Sequence, residues 1–216
     1  MKHVSPNEVA GDTRARGPTR RALAKQQTRA KVLAAARRLF SEHGYEGATI
    51  RDIASAAGMS TGAVFANFSD KSDLFRDIMI SDTVALVAQM REAVAHAKGV
   101  EEALLKIFTT GYAYYKSQLP LARAGFTAGW APQEGEMLRK LAPLRLIQDL
   151  ILEELNAGVD RGELSPESGL KLRAEMLHDA YLANYPQAIF EGWSLEALQA
   201  RARDQIGILL AGARRG

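Results

Sequence analysis

An all-α fold is predicted, with a three-helix unit at the N-terminal end and a larger helical unit after it. Three observations carry this. Apolar residues recur at helical spacing along the chain, and no segment alternates with period two over strand length. Capping residues and Gly or Pro stops cut the sequence into helix-length pieces. Charge divides it as well: up to Lys71 there are 12 Lys+Arg against 6 Asp+Glu, and from Ser72 onward 16 against 19. A basic front on a slightly acidic body suits a polyanion at one end only.

The elements follow in order. Residues 1–24 lack apolar periodicity and carry Gly11, Gly17, Pro6 and Pro18 among Arg14, Arg16, Arg20 and Arg21, which predicts a disordered basic arm. Order begins near Lys25. Val32, Leu33, Ala36, Leu39 and Phe40 form one helical stripe, Gly44 stops it, and Tyr45 folds back on the last turn. Thr49 with Asp52 resembles a capping box and opens a second helix with Ile50, Ile53, Ala54 and Ala57 inward. Gly58 breaks that helix, and Ser60 caps a short third one holding Val64, Phe65 and Phe68. Asp70 caps a fourth, running through Leu74, Phe75 and Ile78 toward Ala97 and Gly99.

The body repeats the pattern. Val100 to about Gln118 carries Leu104, Leu105, Phe108 and Tyr112; Pro120 interrupts it, and Trp130-Ala131-Pro132 marks a loop. A long helix covers Met137 to Asp160, with Pro143 near its start or at a kink, and Gly162 stops it. Ser165-Pro166-Glu167 reads as a restart, with a cap, Pro at the first helical position and an acid near the positive end. That helix runs to about Asn184, where Pro186 ends or bends it, and Ser194 caps the last one. The expected division is thus an arm (1–24), a head (25–71) and a body (72–216).

Composition excludes several classes. With no cysteine there is no disulfide, thiol catalysis or cysteine-ligated metal. His3, His43, His96 and His178 are scattered without ligand spacing, so no metal site is expected. No phosphate-cradling Gly-rich loop, HExxH or serine elbow is present, so neither a cofactor nor catalysis is expected. No apolar run spans a bilayer, and the first residues lack an apolar signal core, so the expected place of action is the cytoplasm.

The informative stretch is Thr49 to Phe68, TIRDIASAAGMSTGAVFANF. A helix, a turn at Gly58 and a second short helix are the sequence form of a helix-turn-helix, whose second helix enters a major groove. Ala54 and Ala57 are small enough for close helix approach, and Ile50, Ile53, Met59 and Val64 supply a shared core. Ser60, Thr61, Ala63 and Asn67 are read as outward: hydroxyls and an amide for base edges or phosphates, a methyl for thymine.

The run from Leu39 to Phe75, LFSEHGYEGATIRDIASAAGMSTGAVFANFSDKSDLF, resembles the DNA-binding domain of the tetracycline-repressor-like (TetR) transcriptional regulators. Its landmarks stand in order: Phe40, Gly44, Tyr45, Thr49, Ile53, Ala54, Ala57, Gly58, Ser60, Gly62, Phe65, Phe68 and Lys71. The specific likeness covers about 45 residues from Arg29; beyond it only helical architecture and Gly158–Leu164 are similar. The resemblance implies Thr49 as a backbone contact, Ser60, Thr61 and Ala63 at the groove, and Lys71 on a phosphate at a helix start. Phe65 stands where the family most often has Tyr, which removes one phosphate contact and leaves the ring a role in the core. Asn67 stands for a commoner His and can still donate to a phosphate. Arg16, Arg20, Arg21 and Lys25 of the arm reach the backbone or a minor groove, or stay solvated.

One such head reads few base pairs, so a dimer on a palindrome is expected. Its interface is assigned to the last two helices: Leu170, Ala174, Leu177 and Tyr181 on one, Leu195, Leu198, Ala202, Ile206 and Leu209 on the other. Met176, Ala180 and Ala183 form a flanking stripe, and a helix apolar on two faces packs both inward and outward. Met90, Phe108, Tyr112, Tyr115, Phe126, Trp130 and Met137 cluster in the middle helices as a candidate pocket for a small apolar or aromatic effector, with His178 as a polar handle. The expected function is a dimeric, sequence-specific DNA-binding regulator, a repressor released from its operator by that effector. The alternative is a DNA-binding structural protein without ligand control.

Overall fold

A computed structural model describes residues 19–130 and 142–214, with the side chains of 126–130 and 142–144 left out of the description. Ten helices lie among the described residues: α1 (Arg20–Gly47), α2 (Ile50–Ala56), α3 (Thr61–Phe65), α4 (Lys71–Val94), α5 (Val100–Ser117), α6 (Leu119–Trp130), α7 (Ala142–Asp160), α8 (Leu170–Ala183), α9 (Tyr185–Ile189) and α10 (Leu195–Leu210). The all-α expectation is met.

The local signals that define the head work as chemistry predicts. Thr49 Oγ1 accepts the Asp52 N–H at 3.2 Å and donates to the Asp52 carboxylate at 2.6 Å. Asp is one methylene shorter than Glu, so it closes the box on the threonine hydroxyl. Gly58 (φ +69°) ends α2 with the Met59 N–H on the Ala54 carbonyl at 2.9 Å and its own N–H on Ser55, the paired bonds of a left-handed helix end. Ser60 Oγ then accepts the Ala63 N–H at 3.2 Å. Asp70 caps α4 through the Asp73 N–H at 2.7 Å, and Asp73 returns a bond to the Ser69 N–H at 3.0 Å.

There are two cores, and α4 runs through both. The head core gathers Val32, Ala36, Phe40, Tyr45, Ile53, Ala54, Val64 and Phe68 with Leu74, Phe75 and Ile78 of α4. Phe40, Tyr45 and Phe75 form an aromatic trio with centroids 5.0–5.6 Å apart. The body core gathers Leu86 and Met90 of α4 with Leu104, Ile107, Phe108, Tyr112, Ile151, Leu155, Leu177 and Ile206. Leu121 and Ala124 of α6 enter the head core, so packing of the head does not close at Lys71. In the body, α5 lies between α4 and α10, α7 packs on α4, α5 and α8, and α8 packs on α7 and α10.

Two helix starts differ from expectation. Helix α1 begins at Arg20, not near Lys25, because Thr19 accepts the Ala22 N–H and caps it; Arg20 and Arg21 are therefore helical. Residues 1–18 of the expected arm lie outside the described residues. Ser165-Pro166-Glu167 does not open α8, which starts at Leu170 after Gly169. The Ser165 N–H is held by the Ala213 carbonyl at 2.8 Å beside an antiparallel Leu164–Arg214 bridge, and the Ser165 hydroxyl turns to Glu167. That tertiary pairing outcompetes the local cap. Pro186 does bend the chain, into α9.

Candidate nucleic-acid interface

Helix α3 has five residues and buries one side chain, Val64. Phe68, just past its end, is the second anchor. With those two directed inward, Thr61, Gly62, Phe65 and Ala66 are left exposed, and Thr61 and Phe65 share a face at i, i+4. Phe65 is 54% exposed, which corrects the expectation of a core role. Val64 and Phe68 are the two residues that bury here, and Phe65, turned about 100° from Val64 around the helix, is left exposed.

The remaining expected contacts are placed as follows. Thr49, Ser60 and Thr61 are exposed. Ser60 accepts a backbone N–H and keeps its own O–H to donate. Thr49 directs its O–H to Asp52, so a phosphate must compete with that carboxylate. Ala63 is half-buried. Asn67 faces inward: its Nδ2 donates to the Ala63 carbonyl at 3.0 Å, and its Oδ1 is buried without a partner. One of the two Nδ2 N–H groups is thereby held at the end of α3, which leaves one for a phosphate. The Lys71 ammonium donates to the Tyr45 carbonyl at 2.9 Å, sits 4.3 Å from the Tyr45 ring centroid and lies 3.7 Å from Glu46. Two of its three N–H groups remain for a phosphate beside the α4 start. Along the exposed edge of α1, Arg20, Arg21, Lys25, Lys31 and Arg38 continue the basic surface.

Sequence reasoning missed Arg29. Its Nη1 donates to the Asn67 carbonyl at 2.8 Å, its Nη2 pairs with Asp77 of α4, and its guanidinium lies 4.2 Å from the centroid of the Phe68 ring. The partners lie 38 and 48 positions away, beyond any local sequence signal.

The body residues are distributed differently from expectation. Met90, Phe108 and Tyr112 are fully buried and belong to the packed core. A cavity of about 10 Å³, room for one water, lies between α4, α5 and α6, lined by Met79, Asp82, Tyr114, Tyr115, Gln118, Leu121 and Ala122. Among the described residues of the expected pocket set it includes Tyr115 alone. The side chains of Phe126 and Trp130, and all of Met137, lie outside the described residues. His178 is buried with Nε2 unpartnered, and burial pushes its pKa below the usual imidazole range against the opposing charge of Asp179. Asn184 organises a buried polar network: Nδ2 donates to the Tyr112 hydroxyl and to Gln205, each at 2.8 Å, and Oδ1 accepts from Arg201 at 2.8 Å.

Of the expected dimer residues, Ala174, Leu177, Tyr181, Leu198, Ala202 and Ile206 are fully buried within the subunit. Leu170 and Leu209 are half-buried, and Leu195 is exposed. The reason is that α8 has two apolar faces and this one packs on α5, α7 and α10. The flanking face is open: Leu172 and Met176 are exposed beside half-buried Ala180, and Ile208 of α10, 75% exposed, lines a shallow groove with Met176 and Ala180.

Comparison with known proteins agrees with this architecture. Residues 32–78, spanning α1 to the first turns of α4, match the family described as bacterial regulatory proteins, tetR family. The chain is 34% identical to the transcriptional repressor AcnR of Corynebacterium diphtheriae, over 63% of this chain and 67% of that one. It is 30% identical to the transcriptional repressor Rv1474c of Mycobacterium tuberculosis, over 62% of this chain and 83% of that one. Its fold is similar to that of the regulator FadR from Bacillus subtilis in complex with stearoyl-CoA, with a TM-score of 0.69 at 16% identity, covering 85% of this chain and 98% of that one. With the helix-turn-helix, the basic head and relatives that are transcription repressors, the chain belongs to the tetR family of DNA-binding transcriptional regulators.

Proposed function

We propose that the protein is a dimeric, sequence-specific repressor acting in the cytoplasm, and that an apolar or aromatic effector releases it from a palindromic operator. The observation that carries the reading is the exposed face of α3, where Thr61 and Phe65 stand outward on a helix fixed at both ends. Thr61 offers a hydroxyl to a base edge and Phe65 an apolar surface to a thymine methyl. Thr49, Ser60 and Lys71 flank this face and hold the phosphates; Ala63 lies at its edge, half-buried. The effector's entry is placed at the seam between head and body, where Tyr114, Tyr115, Asp82 and Gln118 surround the small cavity. Opening that seam moves α4, which contributes to both cores, and so changes the head spacing. The dimer forms through Leu172, Met176, Ala180 and Ile208, two helices from each subunit.

Selection from a random double-stranded DNA pool tests the reading. The expected product is a two-fold symmetric motif, and Thr61→Ala changes the preferred base at one position of each half-site. A pool left unenriched, with binding that responds to salt alone, favours the structural alternative and defeats the proposal.

The dimer face has its own test. Placing charge on both sides of the groove with Met176→Glu and Ile208→Glu is expected to yield a monomer mass by sedimentation at micromolar concentration, with helicity retained. A dimer mass for this variant removes the face from the interface.

A further inference from the structure

We infer that Arg29 is a positioning residue for base recognition: it clamps the chain where that chain leaves the recognition helix and sets the angle of α3 in the groove. The inference rests on the DNA-binding reading above and names a residue that works without touching a base. Helix α3 is held at its start by the turn at Gly58 and the Ser60 cap. Its five residues bury Val64 alone, so its far end is fixed through the residues that follow it, with Phe68 as the anchor. Asn67 and Phe68 follow immediately after α3, and Arg29 engages both. One guanidinium arm takes the Asn67 carbonyl at 2.8 Å, the flat face lies against the Phe68 ring, and the other arm pairs with Asp77. Arg29 of α1 thus ties the segment that follows α3 to α4 through one planar cation. Asn67 links the same point back into the helix through Ala63.

The fork geometry makes this specific to arginine. Lysine keeps the charge but cannot bond a carbonyl and a carboxylate along two fixed directions while stacking on an aromatic face. The test compares full-length wild type, Arg29→Lys and Asp77→Asn. Binding is measured to the duplex selected by the wild type and to a scrambled duplex, each across a salt series. Amide hydrogen exchange is followed in residues 61–68 without DNA.

Arg29→Lys is expected to weaken binding to the selected duplex at least tenfold and binding to the scrambled duplex less than twofold, with the salt slope unchanged. Exchange in residues 61–68 rises at least tenfold while the centre of α4 keeps its protection. Asp77→Asn, which keeps the guanidinium and loses its acidic anchor, shows the same split at smaller amplitude. The inference is overturned by selected-duplex affinity within twofold of wild type. It is also overturned if both affinities fall together with a salt slope reduced by about 1, since Arg29 is then a phosphate ligand. Protection lost across the whole head overturns it too, since the role is then general stability. If the wild type itself shows no sequence preference, the repressor reading fails, and the exchange data alone decide the clamp.

Discussion

Arg37→Leu is expected to destabilise the protein by about 3 kcal/mol, the low end of what removing one partner of a buried ion pair costs. Arg37 lies on α1 and meets Asp82 of α4 with both arms of its guanidinium; Nη1 is 3.0 Å from Asp82 Oδ2 and 3.1 Å from Gln118 Oε1. Asp82 is only 6% exposed, so it cannot recover a full water shell when the arginine is gone. Arg37 itself is about one-third exposed, which places the cost at the low end. The double substitution Arg37→Leu/Asp82→Leu removes both charges and is expected to recover most of the loss. Denaturant unfolding of the wild type, Arg37→Leu, Asp82→Leu and the double variant closes the cycle. Equal losses in the single and double variants sink the argument. The pair also joins the head, the shared helix α4 and the α5–α6 joint beside the small cavity, so the same variant tests whether that joint transmits strain to the head.

What the sequence made legible was local. The Thr49, Ser60, Asp70 and Ser194 caps all appear as hydrogen bonds, and Gly58 makes the turn its position demanded. Each of those signals is complete within four or five residues. The misplacements share a different cause. The period of α8 showed two apolar faces correctly, but a period cannot say which face meets the same subunit. Ser165 had a good cap sequence and lost to a pairing with Ala213, 48 positions away. Phe65 was read as core because it is apolar, yet a five-residue helix has room to bury only Val64 and the following Phe68. In the sequence, Arg29 and Arg37 enter only through the count of basic residues in the head; their acidic partners on α4 are visible only in three dimensions. The candidate site was therefore readable where it depends on caps and turns. It was not readable where it depends on which helix crosses which.

That limit is sharpest at the crossing of α5 and α8, where Gly111→Ala is expected to lower stability by about 2 kcal/mol despite alanine's better helix propensity. A methyl group at Gly111 would overlap the Tyr181 hydroxyl and lie 2.7 Å from Tyr181 Cε2 and 2.8 Å from Cζ. Tyr181 has no room to retreat. It is fully buried, stacked on Tyr112 at 5.5 Å between centroids, flanked by Phe108 and Tyr185 at 5.2 Å, and bonded through its hydroxyl to that of Tyr185. The propensity gain of roughly 1 kcal/mol in a helix interior is outweighed by overpacking of about 1–3 kcal/mol, here toward its upper end or beyond because four rings must shift together. A chain of this size should then lose about 4–8 °C in Tm, read by circular dichroism or calorimetry. An unchanged or higher Tm means that the aromatic cluster yields easily and α8 is not pinned to α5. A lower Tm means the opposite: α8, which carries the proposed dimer face, is held in register with α5, whose C-terminal end borders the head–body seam. A dimer could then sense a change at that seam through the packing of one glycine against one tyrosine.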